Sequence, residues 1–269
     1  MKVKTLLAAL GTAAALLPSL AVSAPVVYNL ALPNISTFDS VITGTGSSVQ
    51  VVQVVNGSAV YNYLDSNNVA QTLTVTRAGG GTATASGGYS SGNQSLSGAV
   101  YDISPSSAGT IPGQDSGLHF LFSGAVNAFG FEIGDWATCC TGNARPVSVQ
   151  TTFGVPATGS GLWISFNGGA ATLPANALSA NDNPGYVHQT NGSQDFSFTN
   201  FIGAIDSSST FTSLDFWGDG FGEFLVAGGS FRFASVPLGS VGNVPEPESL
   251  ALFGIALAAL AIARRRRSL

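Results

Sequence analysis

Phenylalanine returns at every second position in one run after another, and this repetition constrains the fold more than any other feature of the chain. Leu118, Phe120 and Phe122 share one parity, and Phe129, Phe131 and Ile133 share another. Val147, Val149, Thr151 and Phe153 repeat the pattern, as do Leu162, Ile164 and Phe166. Phe196 with Phe198 and Phe231 with Phe233 are shorter cases. Successive side chains of an extended chain point to opposite faces, so each run predicts a strand with one apolar face. Turn signals separate the runs: Asn56-Gly57, Gly79-Gly80-Gly81, Asn167-Gly168-Gly169, Asn183-Pro184-Gly185, Asn191-Gly192 and Asp219-Gly220. Away from the two ends of the chain, no long stretch shows a 3.6-residue period. The expectation for residues 25–243 is an all-β fold, an antiparallel β-sandwich of jelly-roll type. Residues 117–236 hold most of the phenylalanines and all three tryptophans, so the denser core is expected there. Val49 to Val55, Tyr61 to Leu64 and Leu73 to Val75 are the strand candidates of the more polar first part.

Charge divides the chain differently. Charged residues make up only 9% of the 269 positions, against about 25% in an ordinary globular protein. Lys2 and Lys4 sit at one end and Arg264, Arg265, Arg266 and Arg267 at the other, which leaves Arg77, Arg145 and Arg232 between them. A net charge of −5 gives no surplus for neutralising phosphates, so a nucleic-acid partner is excluded in the simple electrostatic sense. Residues 25–244 alone carry 12 acids and three arginines, about −9. That predicts an acidic, lysine-free exported form, repelled by anionic polymers unless divalent cations bridge them.

The ends read as addresses. Residues 1–24 run from Met1-Lys2-Val3-Lys4 through an apolar, small-residue stretch to Ala24, the pattern of a secretory signal peptide. At the other end Val244-Pro245-Glu246-Pro247-Glu248 precedes an apolar stretch from Ser249 to Ala263 and then the four arginines. As a helix that stretch reaches about 22 Å, short of the ~30 Å hydrocarbon core, and snorkelling arginines would close the gap. The arginines favour the cytoplasmic side, which places the middle of the chain outside the inner membrane, as the signal peptide also requires.

This tail (residues 244–269) resembles the PEP-CTERM sorting signal of Gram-negative bacteria. Pro245, Glu246 and Pro247 match the motif, residues 249–263 the transmembrane helix, and Arg264 to Arg267 the arginine cluster. The same kind of tail is also labelled an ice-binding protein C-terminal domain, a label that describes sorting and no affinity for ice. The resemblance implies signal peptidase and an exosortase as partners, transient residence in the inner membrane, and association with exopolysaccharide and biofilm at the cell surface. Phrases such as residues 129–136 and 162–169 are similar to β-sandwich cargo of that group and bring no activity with them.

Few residues in the middle suggest chemistry. Cys139 and Cys140 are adjacent; in an oxidising compartment they can close a ring in a tight turn, cross-link chains or stay reduced. A structural disulfide is the favoured reading. A redox site stays open although the Cys-x-x-Cys spacing is missing, and two cysteines cannot supply a structural zinc site unaided. Asp215, Asp219 and Glu223 form the densest acidic stretch and are the candidate Ca²⁺ ligands, on a spacing unlike an EF-hand. Ordinary turn chemistry is the favoured reading of them, since aspartate is a standard turn residue. Glu132 and Asp135 have an odd separation, which puts them on opposite faces of a continuous strand. Trp163 and Trp217 would stack on sugar rings if exposed, and otherwise belong to the core. His119 and His188 are the only histidines, and no Gly-x-Ser-x-Gly elbow accompanies them. No catalytic residue and no obligatory cofactor stands out. The sequence reads as a non-enzymatic exported protein with a structural or adhesive role. The alternative is a Ca²⁺-dependent carbohydrate-binding module or a secreted polysaccharide-acting enzyme.

Overall fold

The computed structural model describes residues 25–104, 116–186, 197–219 and 224–241. The expected signal peptide (1–24), the sorting tail with its membrane helix (244–269), Glu223, His188 and Phe196 lie outside the described residues. In chain order the elements are β1 (Val26–Ala31), α1 (Ile35–Gly44), β2 (Gln50–Gln53), β3 (Val60–Leu64), β4 (Ala70–Arg77), β5 (Ser90–Ser91), β6 (Gln94–Ser95) and β7 (Val100–Ile103). There follow β8 (Leu118–Val126), β9 (Ala128–Gly134), α2 (Val147–Phe153), β10 (Ser160–Phe166), β11 (Thr172–Ala177), β12 (Thr199–Ile205), β13 (Phe211–Gly218) and β14 (Leu225–Ala234). Among the described residues no helix is long and apolar enough to cross a membrane.

The strands form two main sheets in which every pairing is antiparallel. One runs β1-β12-β9-β14-β2, with β7 also on β14; the other runs β11-β10-β13-β8-β4-β3. Within them, β7 to β14 follow the order β7-β14-β9-β12 and β8-β13-β10-β11, the winding of a jelly roll. A register shift between Gly228 and Phe231 lets one edge of β14 pair first with β7 and then with β2. Gly229 adopts φ 61 there, a left-handed conformation that suits glycine.

The alternating phenylalanines meet between the sheets. Phe120 lies 5.0 Å from Phe131, and Phe131 lies 4.9 Å from Phe216, within the range aromatic pairs prefer. The first part of the chain joins the same core instead of standing outside it. Tyr61, Tyr63, Leu73 and Val75 are buried in it, and Tyr63 stacks on Phe233 at 4.7 Å.

Two helices depart from the all-strand expectation. Val147–Phe153 is α2, although its apolar residues alternate. Pro146 stands at its N-cap, where the missing N–H removes no helical bond, and Gly154 closes it with φ 62. Helix α1 buries Ile35, Phe38 and Ile42, spaced i, i+3, i+7, against Phe201 and Ile205 of β12. Its close seat depends on a bare backbone: a Cβ at Gly203 would lie 2.7 Å from both Phe201 and Phe38.

Both ends of the described body leave the same pole of the sandwich. Val26 pairs with Ile205 at the end of β12. Two residues on, Ser207 donates to the carbonyl of Val241 and its own carbonyl accepts from Gly239 N–H. Asn127, in the β8–β9 turn at this pole, clamps Val236 through both its N–H (2.7 Å) and its carbonyl (2.7 Å). Gly134, Thr199 and Val226 mark the opposite pole.

Candidate functional site

The outer face of the second sheet carries a polar row that no local pattern announces. Register aligns Thr76 of β4, His119 of β8, Asp215 of β13 and Ser165 of β10 side by side. His119 Nδ1 lies 2.6 Å from Asp215 Oδ1, and Ser165 Oγ donates to Asp215 Oδ2 at 3.1 Å. The carboxylate thus stands between hydroxyl and imidazole. In a nucleophilic triad the serine would face the histidine, so this order orients His119 without activating Ser165.

Farther along the same face the tryptophans are covered. Trp163 and Trp217 are both 0% exposed and stack on each other at 6.1 Å, beneath Val149 and Phe153 of α2, Val155 and Leu173. Trp136 is buried as well. Of the two placements the sequence left open for Trp163 and Trp217, the structure gives the buried one, and no sugar platform stands there: an excursion of the chain that alternation did not reveal lies on top of the pair.

Asp219 is likewise unavailable to a metal ion. It forms a fully buried ion pair with Arg145 Nε, and its oxygens also accept from Arg145 Nη2 (3.2 Å), Gly161 N–H (2.6 Å) and Trp163 Nε1 (2.8 Å). Arg145 spends its remaining donors on the carbonyls of Pro156, Thr158 and Gly159 and on Asn176 Oδ1. With Asp215 committed to His119 and Ser165, the proposed Ca²⁺ set is not assembled from its described members. No cluster of three or more candidate ligands occurs among the described residues.

The other charges are turned inward in the same way. Glu132 accepts from Ser97 N–H (2.7 Å), Ser97 Oγ and Ser230 Oγ. Arg232 reaches Asp39 and Ser230 and lies over the Phe201 ring. Arg77 binds the carbonyls of Asp102 and Ser116. Asp65, Asp182 and Asp206 accept backbone N–H groups of their own turns. All three arginines of residues 25–244 are engaged, and among the described carboxylates only that of Asp102 accepts no hydrogen bond. Apart from the Asp102 carboxylate, the described carriers of charge serve the fold.

Glu132 and Asp135 remain apart. Asp135 follows β9 with φ 64 and accepts from Tyr89 Oη at 3.3 Å. Burial raises the Asp135 carboxyl above the ordinary aspartate range, against opposing hydrogen bonds from Thr138 and Tyr89. Burial, then the Asp135 charge, push the Tyr89 hydroxyl up to about 12. A carboxyl with a raised folded-state pKa favours the protonated fold, so its contribution to stability falls as pH rises through the interval between its ordinary and raised values. Asp135→Asn keeps an acceptor for Tyr89 and suits the left-handed backbone. We expect it to raise the melting temperature at neutral pH and leave it unchanged below about pH 3, where aspartate is protonated in both states. Thermal melts across pH check this.

Cys139 and Cys140 are joined as a vicinal disulfide in the loop that follows β9, at the pole opposite the chain ends. Cys139 is exposed and Cys140 half-buried.

Comparison with known proteins bears on the tail alone. Residues 243–267 match the family model of the PEP-CTERM protein-sorting motif. No curated protein and no solved structure matches the chain. These comparisons lend the body no activity, while the last residues of the chain have a defined meaning: the chain carries a PEP-CTERM sorting motif, the mark of an exported protein that passes through a membrane-associated precursor to processing by exosortase.

Proposed function

We propose that the sandwich is the non-enzymatic cargo of this sorting route and acts as a structural or adhesive element of the cell surface or exopolysaccharide matrix. The observation that carries the reading is the pairing of a sorting motif with a body whose charged groups bind their own fold. What such a body offers a partner is hydroxyl and amide groups. The outer face of β4 and β13 presents Thr72, Thr74 and Ser213. A hydroxylated, weakly charged polymer suits that surface, because neutral hydrogen bonds need no counter-charge and survive salt. A signal peptidase cut near residue 24 and an exosortase cut near the Pro-Glu-Pro motif would release the body.

Two measurements test the two halves of the proposal. Replacing Pro245, Glu246 and Pro247 by alanine should abolish processing, so that an uncleaved, membrane-retained form accumulates; unchanged release and mass would overturn the sorting half. Purified mature protein should be retained on neutral polysaccharide, with retention unaffected by chelators and little affected by salt. New reducing ends in that polymer would overturn the non-enzymatic half.

A further inference from the structure

The Cys139–Cys140 bond is badly placed to hold this fold together. A disulfide stabilises chiefly by closing a loop in the unfolded chain, and adjacent residues close the smallest loop available. It also ties no two elements to each other. The loop is anchored by other bonds: Asp135 N–H to the Phe198 carbonyl (3.0 Å), Asn183 Nδ2 to the Trp136 carbonyl (2.6 Å) and Arg145 N–H to the Ala157 carbonyl (2.8 Å). Buried Trp136 seats it as well.

The surroundings suggest a different role. Neighbouring Cα atoms lie 3.8 Å apart, nearer than the roughly 4.4–6.8 Å of ordinary disulfides, so adjacency alone makes the ring a strained one. Asp135, Ala137 and Cys140 all hold left-handed backbone without being glycine (φ 64, 65 and 62). Such conformations persist where the surroundings impose them, and they gather at functional sites. Strained, exposed disulfides are the exchangeable ones. Of the two sulfurs, that of Cys139 belongs to an exposed residue and that of Cys140 to a half-buried one. In a precursor tethered by its ends, this loop sits at the far pole, away from the membrane.

We propose that Cys139–Cys140 is a thiol-exchange site that takes a low-molecular-weight thiol on Cys139. The thiolate of the incoming molecule attacks Cys139 Sγ and forms a new S–S bond. The Cys139–Cys140 bond breaks, its electron pair leaves on Cys140 Sγ, and that thiolate takes a proton from water. The incoming thiol is oxidised to the disulfide level while Cys140 is reduced to a thiol. Return attack by Cys140 expels the thiol and restores the ring, so the modification is reversible.

The test uses the folded, oxidised mature protein. A pulse of reduced glutathione followed by iodoacetamide traps the opened state, and peptide mapping by mass spectrometry locates each group. The expected product carries glutathione on Cys139 and the alkyl group on Cys140, and it melts with the untreated protein. Opening only after denaturant is added would overturn the proposal, as would glutathione found on Cys140. The full-length double variant Cys139→Ser/Cys140→Ser gives an independent readout. It should melt with the oxidised parent, and a large drop in its melting temperature would show the bond to be a staple of the fold.

Discussion

Arg145→Ala should cost this protein about 3–5 kcal/mol, the loss found when one partner of a buried ion pair is removed. Total stability of a domain is about 5–15 kcal/mol, so the variant would be marginal. The size of the effect follows from what remains. Asp219 is fully buried and would be left with only Gly161 N–H and Trp163 Nε1 as partners. The carbonyls of Pro156, Thr158 and Gly159 would lose their donor at the same time. Arg145→Met combined with Asp219→Leu removes the carboxyl as well and should recover part of the loss. It cannot recover all of it, because those carbonyls and the Trp163 indole stay without partners. Urea denaturation measures this as a lowered midpoint at constant slope. A loss under about 1 kcal/mol for Arg145→Ala would mean that the pair behaves as a surface salt bridge.

Trp163→Ala should be nearly as damaging, about 3–5 kcal/mol, by the usual cost of emptying a buried tryptophan site. Three neighbours lose contact together. Trp217 loses its stacking partner, Phe153 its edge-on contact at 5.2 Å, and Asp219 an N–H donor. Trp163→Phe returns most of the ring volume but not the donor, so its loss should be smaller, about 1–3 kcal/mol for the buried acceptor left short. Neither change should weaken retention on polysaccharide by the folded protein. A variant that folds normally yet loses retention would put the indole back in the role of a sugar platform.

The parts of the fold legible in the sequence are those where one physical cause acts alone. In β8, β9, β10 and β14 a buried face demands an apolar residue at every second position, and the phenylalanines record that demand directly. Residues 147–153 also alternate, yet no neighbouring strand takes them up, and a proline before and a glycine after set a helix instead. Those two residues were the available signal, as Pro33 and the Ile35, Phe38, Ile42 spacing were for α1. The ionic and polar clusters had no such signal. Arg145 and Asp219 are 74 positions apart and His119 and Asp215 are 96 apart. Only the pairing of β13 with β8 and β10, and the fold-back of the α2 loop, bring them together. Single-residue patterns cannot encode that register. For the same reason Trp163 and Trp217 could be placed on a strand but not inside or outside the protein, since what buries them lies elsewhere in the chain. The sorting tail was legible because its three parts are read in linear order and need no fold.

The shared exit of the two chain ends gives the sandwich a front and a back. Both cuts that would mature the protein lie beyond Pro25 on one side and Val241 on the other, and both of these residues leave the same pole. Any bond later made through either new terminus, whether to a glycan, a lipid or another polymer, grips the sandwich by that one end. Molecules held in this way would stand side by side like bristles, spaced by the width of the two sheets, with the Cys139–Cys140 loop at every tip.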